Sequence, residues 1–438
     1  MSDSAVIDKS VDQNSVTYST SNNKQVRNAN IHFENGNDRG IITREEARHV
    51  SKLSISSDAE LVNYNLNPYS DEKLGFLSSQ KTLTLEARKP GCKVNVTKCF
   101  FVKSMPYDVP LQAAYALEKN AFSKEIKFFQ KIEPLMQDNY KSERWSPKCY
   151  LAKENTIVLE DMKVQGFRNN SRILNEEHLM SAVACVARFH ASSLLAEQQL
   201  NGKSLNEVYP EVFEEAEYKN TGRKYTWFTT AINCVVSVAK DIGLETSHIF
   251  EASKRAFDIA IPSKVKRNVV THGDLWSNNL LFDQANHCRL VDFQLLRYAP
   301  PGQDLMQLLY LCTLRKFREE RETDVLECYY KNFKETLELN GFTGVTPSFE
   351  EIKHGADEQK FPALISAAIN FPTIMIDGKI GAEIMNNLNS YEDYFFRDRK
   401  PIVEQIMAMD GEYETRIKDL FRELVEMSFK VDDFPRVS

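Results

Sequence analysis

Apolar positions are scarce over the first forty residues, where Ser, Asn, Asp and Gln prevail. Such a stretch cannot bury enough surface to offset the entropy lost on ordering, so residues 1–40 are expected to form a flexible tail. A helical pattern sets in near Thr43, where Thr43-Arg44-Glu45-Glu46 has the form of a capping box. Residues 60–105 then turn β-rich. Thr82-Leu83-Thr84-Leu85-Glu86 alternates, Pro90-Gly91 marks a turn, and Cys99-Phe100-Phe101-Val102 lies inside the stretch from Val94 to Met105. This predicts a hairpin feeding a buried strand that ends on Lys103. Ala114, Leu117, Ala121, Phe128 and Ile132 recur near helical spacing and predict one helix over 111–136. A short strand, Ile157-Val158-Leu159, runs into the acidic pair Glu160-Asp161.

Beyond that pair the pattern is mostly helical. Residues 176–199 read as an amphipathic helix with Leu179, Val183, Val186, His190 and Leu194 along one side. Two or three more helices fit within 205–262. Two short strands interrupt them, Asn279 to Phe282 and Cys288 to Phe293, joined by a turn over 283–287. After Pro300-Pro301-Gly302 the helical pattern continues to about Lys430. The chain thus divides into a tail (1–40), a β-rich part with one long helix (41–158), a connection (159–166), a helical part (167–430) and a short C-terminal tail (431–438). The fold class is α+β with two lobes.

Composition narrows the function classes. The 438 residues carry 55 Lys and Arg against 62 Asp and Glu, a net charge of −7, which argues against a dedicated nucleic-acid binder. No stretch reaches the roughly 18–20 apolar residues of a spanning helix, and no apolar signal segment opens the chain. The eight cysteines lie far apart without a C-x-x-C, so neither a zinc site nor a disulfide framework is expected. These features together point to a cytoplasmic protein without a membrane partner.

The densest polar signal is Thr271-His272-Gly273-Asp274-Leu275-Trp276-Ser277-Asn278-Asn279, entered and left through apolar runs. Asp274 and Asn279 stand five residues apart and bracket a loop; Asp292 follows thirteen residues later at the end of the second short strand. If the two strands pair, Asn279 and Asp292 lie at one end of the hairpin, with Asp274 opposite. Oxygens so placed suit Mg²⁺, which leaves positions for phosphate and water. Phosphoryl transfer also needs a lysine on the nucleotide phosphates and a glutamate to hold it. Lys103 at the end of its strand and Glu125 on the following helix supply that pair; Glu118 is a second candidate partner and Lys98 a second candidate lysine.

The pattern H-G-D-x-W-x-N-N-x-x-F followed by D-F-Q resembles the ecdysteroid kinase-like family, also called CHK kinase-like, itself similar to choline and aminoglycoside kinases. The resemblance extends over roughly residues 55–425. It is supported by Val158-Leu159-Glu160-Asp161-Met162, by Ala187-Arg188-Phe189-His190-Ala191, and by the run from Tyr298 to Leu305. It implies a two-lobed protein-kinase-like fold that binds ATP and Mg²⁺. Asp274 would then be the catalytic base or hydroxyl-orienting group, and Asn279 and Asp292 the metal ligands. Lys103, held by Glu125, would meet the phosphates, backbone groups from Glu160 to Met162 the adenine, and His272 would brace the loop. A Gly-rich phosphate loop is missing; only Gly75 stands near its place, and the amides of Ser78 and Ser79 would cover the phosphates instead.

Several residues have plainer readings. His190 is expected as a packed core histidine, Asp304 as the N-cap of a helix from Leu305, and Trp276 as packing under the loop. Arg315 to Glu322 reads as a solvated, charge-laced helix face. The function that the resemblance implies is phosphorylation of a hydroxyl on a small apolar molecule, an ecdysteroid or another apolar, hydroxylated metabolite. The segment from Phe293 to Asp304 is too short for a long regulatory loop, and nothing suggests a protein substrate. Two alternatives stand beside it. One is a non-catalytic nucleotide or metabolite binder, which fits the poor phosphate loop. The other is a metal-dependent phosphoesterase using His272, Asp274, Asn279 and Asp292.

Overall fold

The structure, a computed structural model, describes residues 40–69, 78–107, 113–114, 116–117, 120–376 and 378–438. Residues 1–39, Gly75 and Glu118 lie outside the described residues. Residues Ile41–Ser438 pack as one unit.

Five antiparallel strands form the first sheet: β1 (Glu60–Pro68), β2 (Ser79–Arg88), β3 (Asn95–Ser104), β4 (Cys149–Lys153) and β5 (Thr156–Glu160), in the order β1-β2-β3-β5-β4. Side chains alternate across a strand, so the apolar set on one face fixes what the other face presents. Leu83, Leu85, Phe100, Val102 and Val158 pack on helix α1 (Arg44–Ser54) through Ala47 and Val50. Lys103 therefore points to the opposite face, paired with Gln80 on β2 and Ile157 on β5. The capping box of α1 is formed: the Glu46 amide donates to Thr43 Oγ1 at 3.3 Å, and the Thr43 amide donates to Glu46 Oε2 at 2.8 Å.

The helix expected over 111–136 is broken. Asn120 sits at φ +53°, a left-handed conformation that Asn tolerates better than most residues, and it stops the helical turn before it. Helix α2 (Ala121–Lys127) starts there and runs through a π turn (Phe128–Ile132) into Glu133–Gln137. Leu117, assigned to the apolar face by spacing, is 61% exposed.

The helical part is built round α3 (Glu176–Gln199), capped by the Asn175 side chain accepting from the His178 amide. Its predicted apolar side, Leu179, Val183, Val186, His190 and Leu194, is buried, and Glu177, Met180, Ser181, Ala184 and Arg188 on the opposite side are exposed or half-buried; from Phe189 to Glu197 the helix is buried all round. Contrary to expectation, α3 is long and apolar enough to cross a membrane; 72% of that stretch is buried inside the protein. After it come short turns, α4 (Gly222–Asp241), and β6 (Val269–Thr271), which pairs with β9 (Arg297–Ala299). Between those strands lies the hairpin of β7 (Leu280–Phe282) and β8 (Cys288–Leu290), with Leu280 opposite Leu290. Its pairing continues through the Val291 amide, which donates to the Asn279 carbonyl at 3.1 Å and brings Asn279 and Asp292 to one end.

Helices α5 (Gly302–Cys312), α6 (Arg315–Leu339), α7 (Phe349–Ile374), α8 (Gly378–Asn386), α9 (Leu388–Phe396), α10 (Lys400–Met409) and α11 (Gly411–Ser428) complete the chain. The charged face of α6 is only partly solvated. Arg318 is buried, ion-paired with Glu423 and set over the Tyr310 ring at 4.2 Å.

Candidate active site

The loop after β6 is held through its backbone. Gly273 has φ +75°, and a Cβ there would stand 2.1 Å from the Leu295 carbonyl oxygen, so the turn admits only glycine. The Asp304 carboxylate accepts from the amides of His272 at 2.6 Å and Gly273 at 2.9 Å. It also meets His190 Nε2 at 3.0 Å, while His190 Nδ1 lies 2.9 Å from the Tyr329 hydroxyl. One neutral tautomer satisfies both contacts: Nε2–H donates to the carboxylate and Nδ1 accepts from the phenol. Burial alone would raise the Asp304 carboxyl; the His190 hydrogen bond and the neighbouring imidazoles hold it below the usual range. Asp304 is thus no N-cap. The helix already begins at Gly302, which leaves this side chain inside the first turn and aimed at the loop.

Two more residues grip the same loop, and a third holds one of them. The Gly273 carbonyl accepts from Arg297 Nη1 and Gln307 Nε2, both at 3.0 Å, and Gln307 Oε1 accepts from the Leu275 amide at 2.8 Å. Arg297 clamps the Glu215 carboxylate through Nε at 2.7 Å and Nη2 at 3.2 Å. Sequence reasoning missed Arg297, Gln307 and Glu215, since no local pattern links them to the loop. His272 accepts from the Asp274 amide through Nδ1 at 3.3 Å, and its Nε2 meets the Val291 carbonyl at 3.0 Å. Burial lowers its pKa, which keeps the ring neutral and lets it serve both partners.

Lys103 reaches across to this loop. Its ammonium stands 2.6 Å from Glu125 Oε2 and 2.6 Å from Asp292 Oδ1. Burial acts against the charge, and the two carboxylates, Asp292 first, more than offset it and raise the lysine pKa. Burial lifts the Glu125 carboxyl, with Lys103 pulling the other way. Glu125 Oε1 also accepts from the Phe293 amide at 3.1 Å, so one carboxylate fixes both the lysine and the D-F-Q turn. Lys98 instead donates to the Ser54 carbonyl beside α1.

Phe293 anchors the turn from beneath. It stacks on Phe128 at 4.7 Å and packs near Trp145 and Phe189 at 5.6 and 5.7 Å. Full burial of such a ring contributes about 1.5–3 kcal/mol, enough to offset the positive φ of +70° at Asp292. Asn279 completes the group. Its Nδ2 donates to the Asp274 carbonyl at 2.8 Å and to Asp274 Oδ2 at 3.0 Å, so its amide oxygen faces away from Asp274.

Lys103, Asp274, Asn279 and Asp292 line one cleft of about 1190 Å³, open mouth included. Ser78 lines it too; Ser79 stands in β2 opposite Ser104 and does not. Glu160 ends β5, and Met162 follows in the connecting turn, its carbonyl accepting from the Phe167 amide at 2.9 Å; neither lines this cleft, nor does Glu125 behind Lys103. Trp276 packs on the core and also forms part of the cleft wall. The amide oxygen of Asn279 and the carboxylate of Asp292 are hard donors that fit Mg²⁺ completed by phosphate and water. Among the described residues, no group of three or more His, Cys, Asp or Glu side chains converges on a metal position.

The sequence model described as the ecdysteroid kinase-like family matches residues 75–342, more than half of the chain. The chain belongs to the ecdysteroid kinase-like family. Its family and its two-lobed kinase-like fold are those of a small-molecule phosphotransferase. No curated protein matches this ecdysteroid kinase-like chain. Among solved structures it is similar to a spectinomycin phosphotransferase in complex with ADP and spectinomycin, at 12% identity and a TM-score of 0.36, over 86% of this chain and 93% of that one. An aminoglycoside phosphotransferase from Alicyclobacillus acidocaldarius matches at 12% identity and a TM-score of 0.36, over 82% and 93% of the two chains. A choline kinase from Streptococcus pneumoniae matches at 13% and 0.30, over 79% and 95%. These likenesses are remote, and the family assignment rests on the sequence match.

Proposed function

We propose that this ecdysteroid kinase-like protein is an ATP- and Mg²⁺-dependent kinase that phosphorylates a hydroxyl of a small apolar acceptor, with a steroid of the ecdysteroid type as the first class to test. The observation that carries this reading is the convergence of Lys103, Asp274, Asn279 and Asp292 on one cleft that continues into an apolar wall. Bound Mg²⁺–ATP would supply the transferable phosphoryl group and the neutralisation of charge on its oxygens. The side chains supply position. Asp274, on a loop fixed at every backbone group described above, orients the acceptor hydroxyl and takes its proton. Asn279 and Asp292 offer oxygens to the metal. Lys103, kept charged and aimed by Glu125, faces the phosphates once its contact with Asp292 gives way. The Ser78 backbone at the edge of the cleft covers the phosphates, and the connecting turn from Glu160 to Met162 receives the adenine. Catalysis by such a set comes from orientation and preorganised charge.

The test is a panel of hydroxylated steroids and xenobiotic alcohols incubated with the protein, ATP and Mg²⁺, scored by the mass of one added phosphate. The reading predicts transfer to at least one steroid alcohol. With Asp274→Asn, transfer should fall by about 10²–10⁴-fold while ATP binding is kept. ATP binding without transfer to any alcohol would leave a nucleotide binder, and full activity of the variant would remove Asp274 from the chemistry.

A further inference from the structure

Lys124 is a buried lysine that the phosphate-binding set does not use. It precedes Glu125 on α2, and successive side chains leave a helix about 100° apart. Glu125 turns to Lys103 and to the Phe293 amide. Lys124 turns to the far end of the same segment: its Nζ donates to the Leu296 carbonyl at 3.0 Å and to the Glu214 carbonyl at 2.9 Å. One helix thus holds the D-F-Q segment at two points.

Both carbonyls belong to the scaffold of the Asp274 loop. Leu296 precedes Arg297, whose guanidinium donates to the Gly273 carbonyl. Glu214 precedes Glu215, whose carboxylate accepts from Arg297 and from the amides of Glu217 and Tyr218 at 2.6 and 2.8 Å. The ammonium therefore closes a ring that runs from α2 through Leu296 and Arg297 to Glu215 and back through Glu214. The charged groups that face it are Arg297 on β9 and Glu214, Glu215 and Glu217 on the loop after Phe213. Glu214 is paired in turn with Lys219 at 3.0 Å, and the Lys131–Glu211 pair nearby is exposed. Burial pulls the Lys124 pKa down to about 8; Arg297 acts the same way and the three glutamates act against it. A charge-assisted hydrogen bond is roughly twice as strong as a neutral one, so loss of the proton slackens both bonds without removing the side chain.

We propose that Lys124 is a positioning residue: its ammonium locks α2 to the segment that follows Asp292 and, through α2, sets Glu125 and the phosphate lysine Lys103. This rests on reading Lys103 as the lysine that meets the nucleotide phosphates. Lys124 itself touches neither nucleotide nor acceptor. Its loss therefore weakens the hold on the phosphates and spares the hold on the nucleoside, which the connecting turn receives. A residue needed only for folding would weaken both alike.

The experiment is calorimetry on the full chain with Mg²⁺, comparing ATP with adenosine, which lacks the phosphates, from pH 7 to 9.5. Lys103 stays charged throughout, since its own pKa is raised. In the wild type the affinity ratio of ATP over adenosine should fall by about 5- to 50-fold across this range as Lys124 loses its proton. Lys124→Met should show the low ratio at every pH with adenosine affinity kept. Lys124→Arg, which keeps its charge, should show a ratio that does not change with pH. The wild-type series decides the matter by itself where a variant does not fold. A wild-type ratio flat with pH, an unchanged ratio in Lys124→Met, or an equal loss of ATP and adenosine overturns the proposal and leaves the kinase reading standing. Failure of the wild type to bind ATP at any pH removes the nucleotide reading, and this role with it.

Discussion

Asp304 and His272 show how much of the site is decided by single buried groups. Asp304 collects two loop amides and His190, a set of contacts that spans three distant parts of the chain. The sequence shows His190 and Asp304 only as a core histidine and a helix cap, because nothing local says that residues 114 positions apart share a bond. His272 carries a pH signature. Burial, opposed by Asp304, lowers its folded-state pKa below the ordinary 6.5. The unfolded chain therefore takes up this proton at higher pH than the folded one. Stability is complete above about pH 6.5 and is lost as pH falls from there toward the folded value. Asp304, depressed below 3.8, adds a separate loss only at still lower pH. Denaturant unfolding measured from pH 7.5 to 5 should show a falling free energy in the wild type and a flatter profile in His272→Asn; parallel profiles would contradict this account of the ring.

At the scale of elements, β3 and the small hairpin were the most legible. Period-two alternation fixes Lys103 on the face away from α1, and the pairing of β7 with β8 fixes Asn279 beside Asp292. The helix between them was less legible. Apolar residues at helical spacing run through Asn120 without a visible break, and only the left-handed backbone there ends one segment and starts α2. That break sets where Glu125 lies. The element-level prediction concerns the link that α2 makes between sheet and hairpin. Lys103→Met leaves Glu125 and Asp292 facing each other without their cation, so stability should drop by about 3–5 kcal/mol or the carboxyls should take up a proton. Turnover should fall with ATP affinity, measured by steady-state kinetics and calorimetry. An unchanged rate would mean that another lysine meets the phosphates.

Across the whole molecule, the cleft is where residues from separate parts of the chain first meet. Lys103 comes from the sheet, Asp274, Asn279 and Asp292 from the loop and hairpin, and the apolar wall from α4, α5, α7, α8 and α9. The polar set could be read from sequence because its motif is compact. The wall could not, because its residues run from Trp227 to Phe395 on five helices, and each looks like ordinary core in its own helix. For the same reason the amphipathic pattern of α3 holds only over its first half: from Phe189 to Glu197 neighbouring elements bury every side of it. The central claim is that these scattered groups converge on one Mg²⁺–nucleotide. Calorimetric titration of ATP into the wild type and into Asp292→Ala, with and without Mg²⁺, tests it most directly. The account predicts that Mg²⁺ tightens ATP binding to the wild type by at least about tenfold and loses that effect in Asp292→Ala. Equal affinity with and without the metal in the wild type, or a metal effect untouched by the variant, would contradict it.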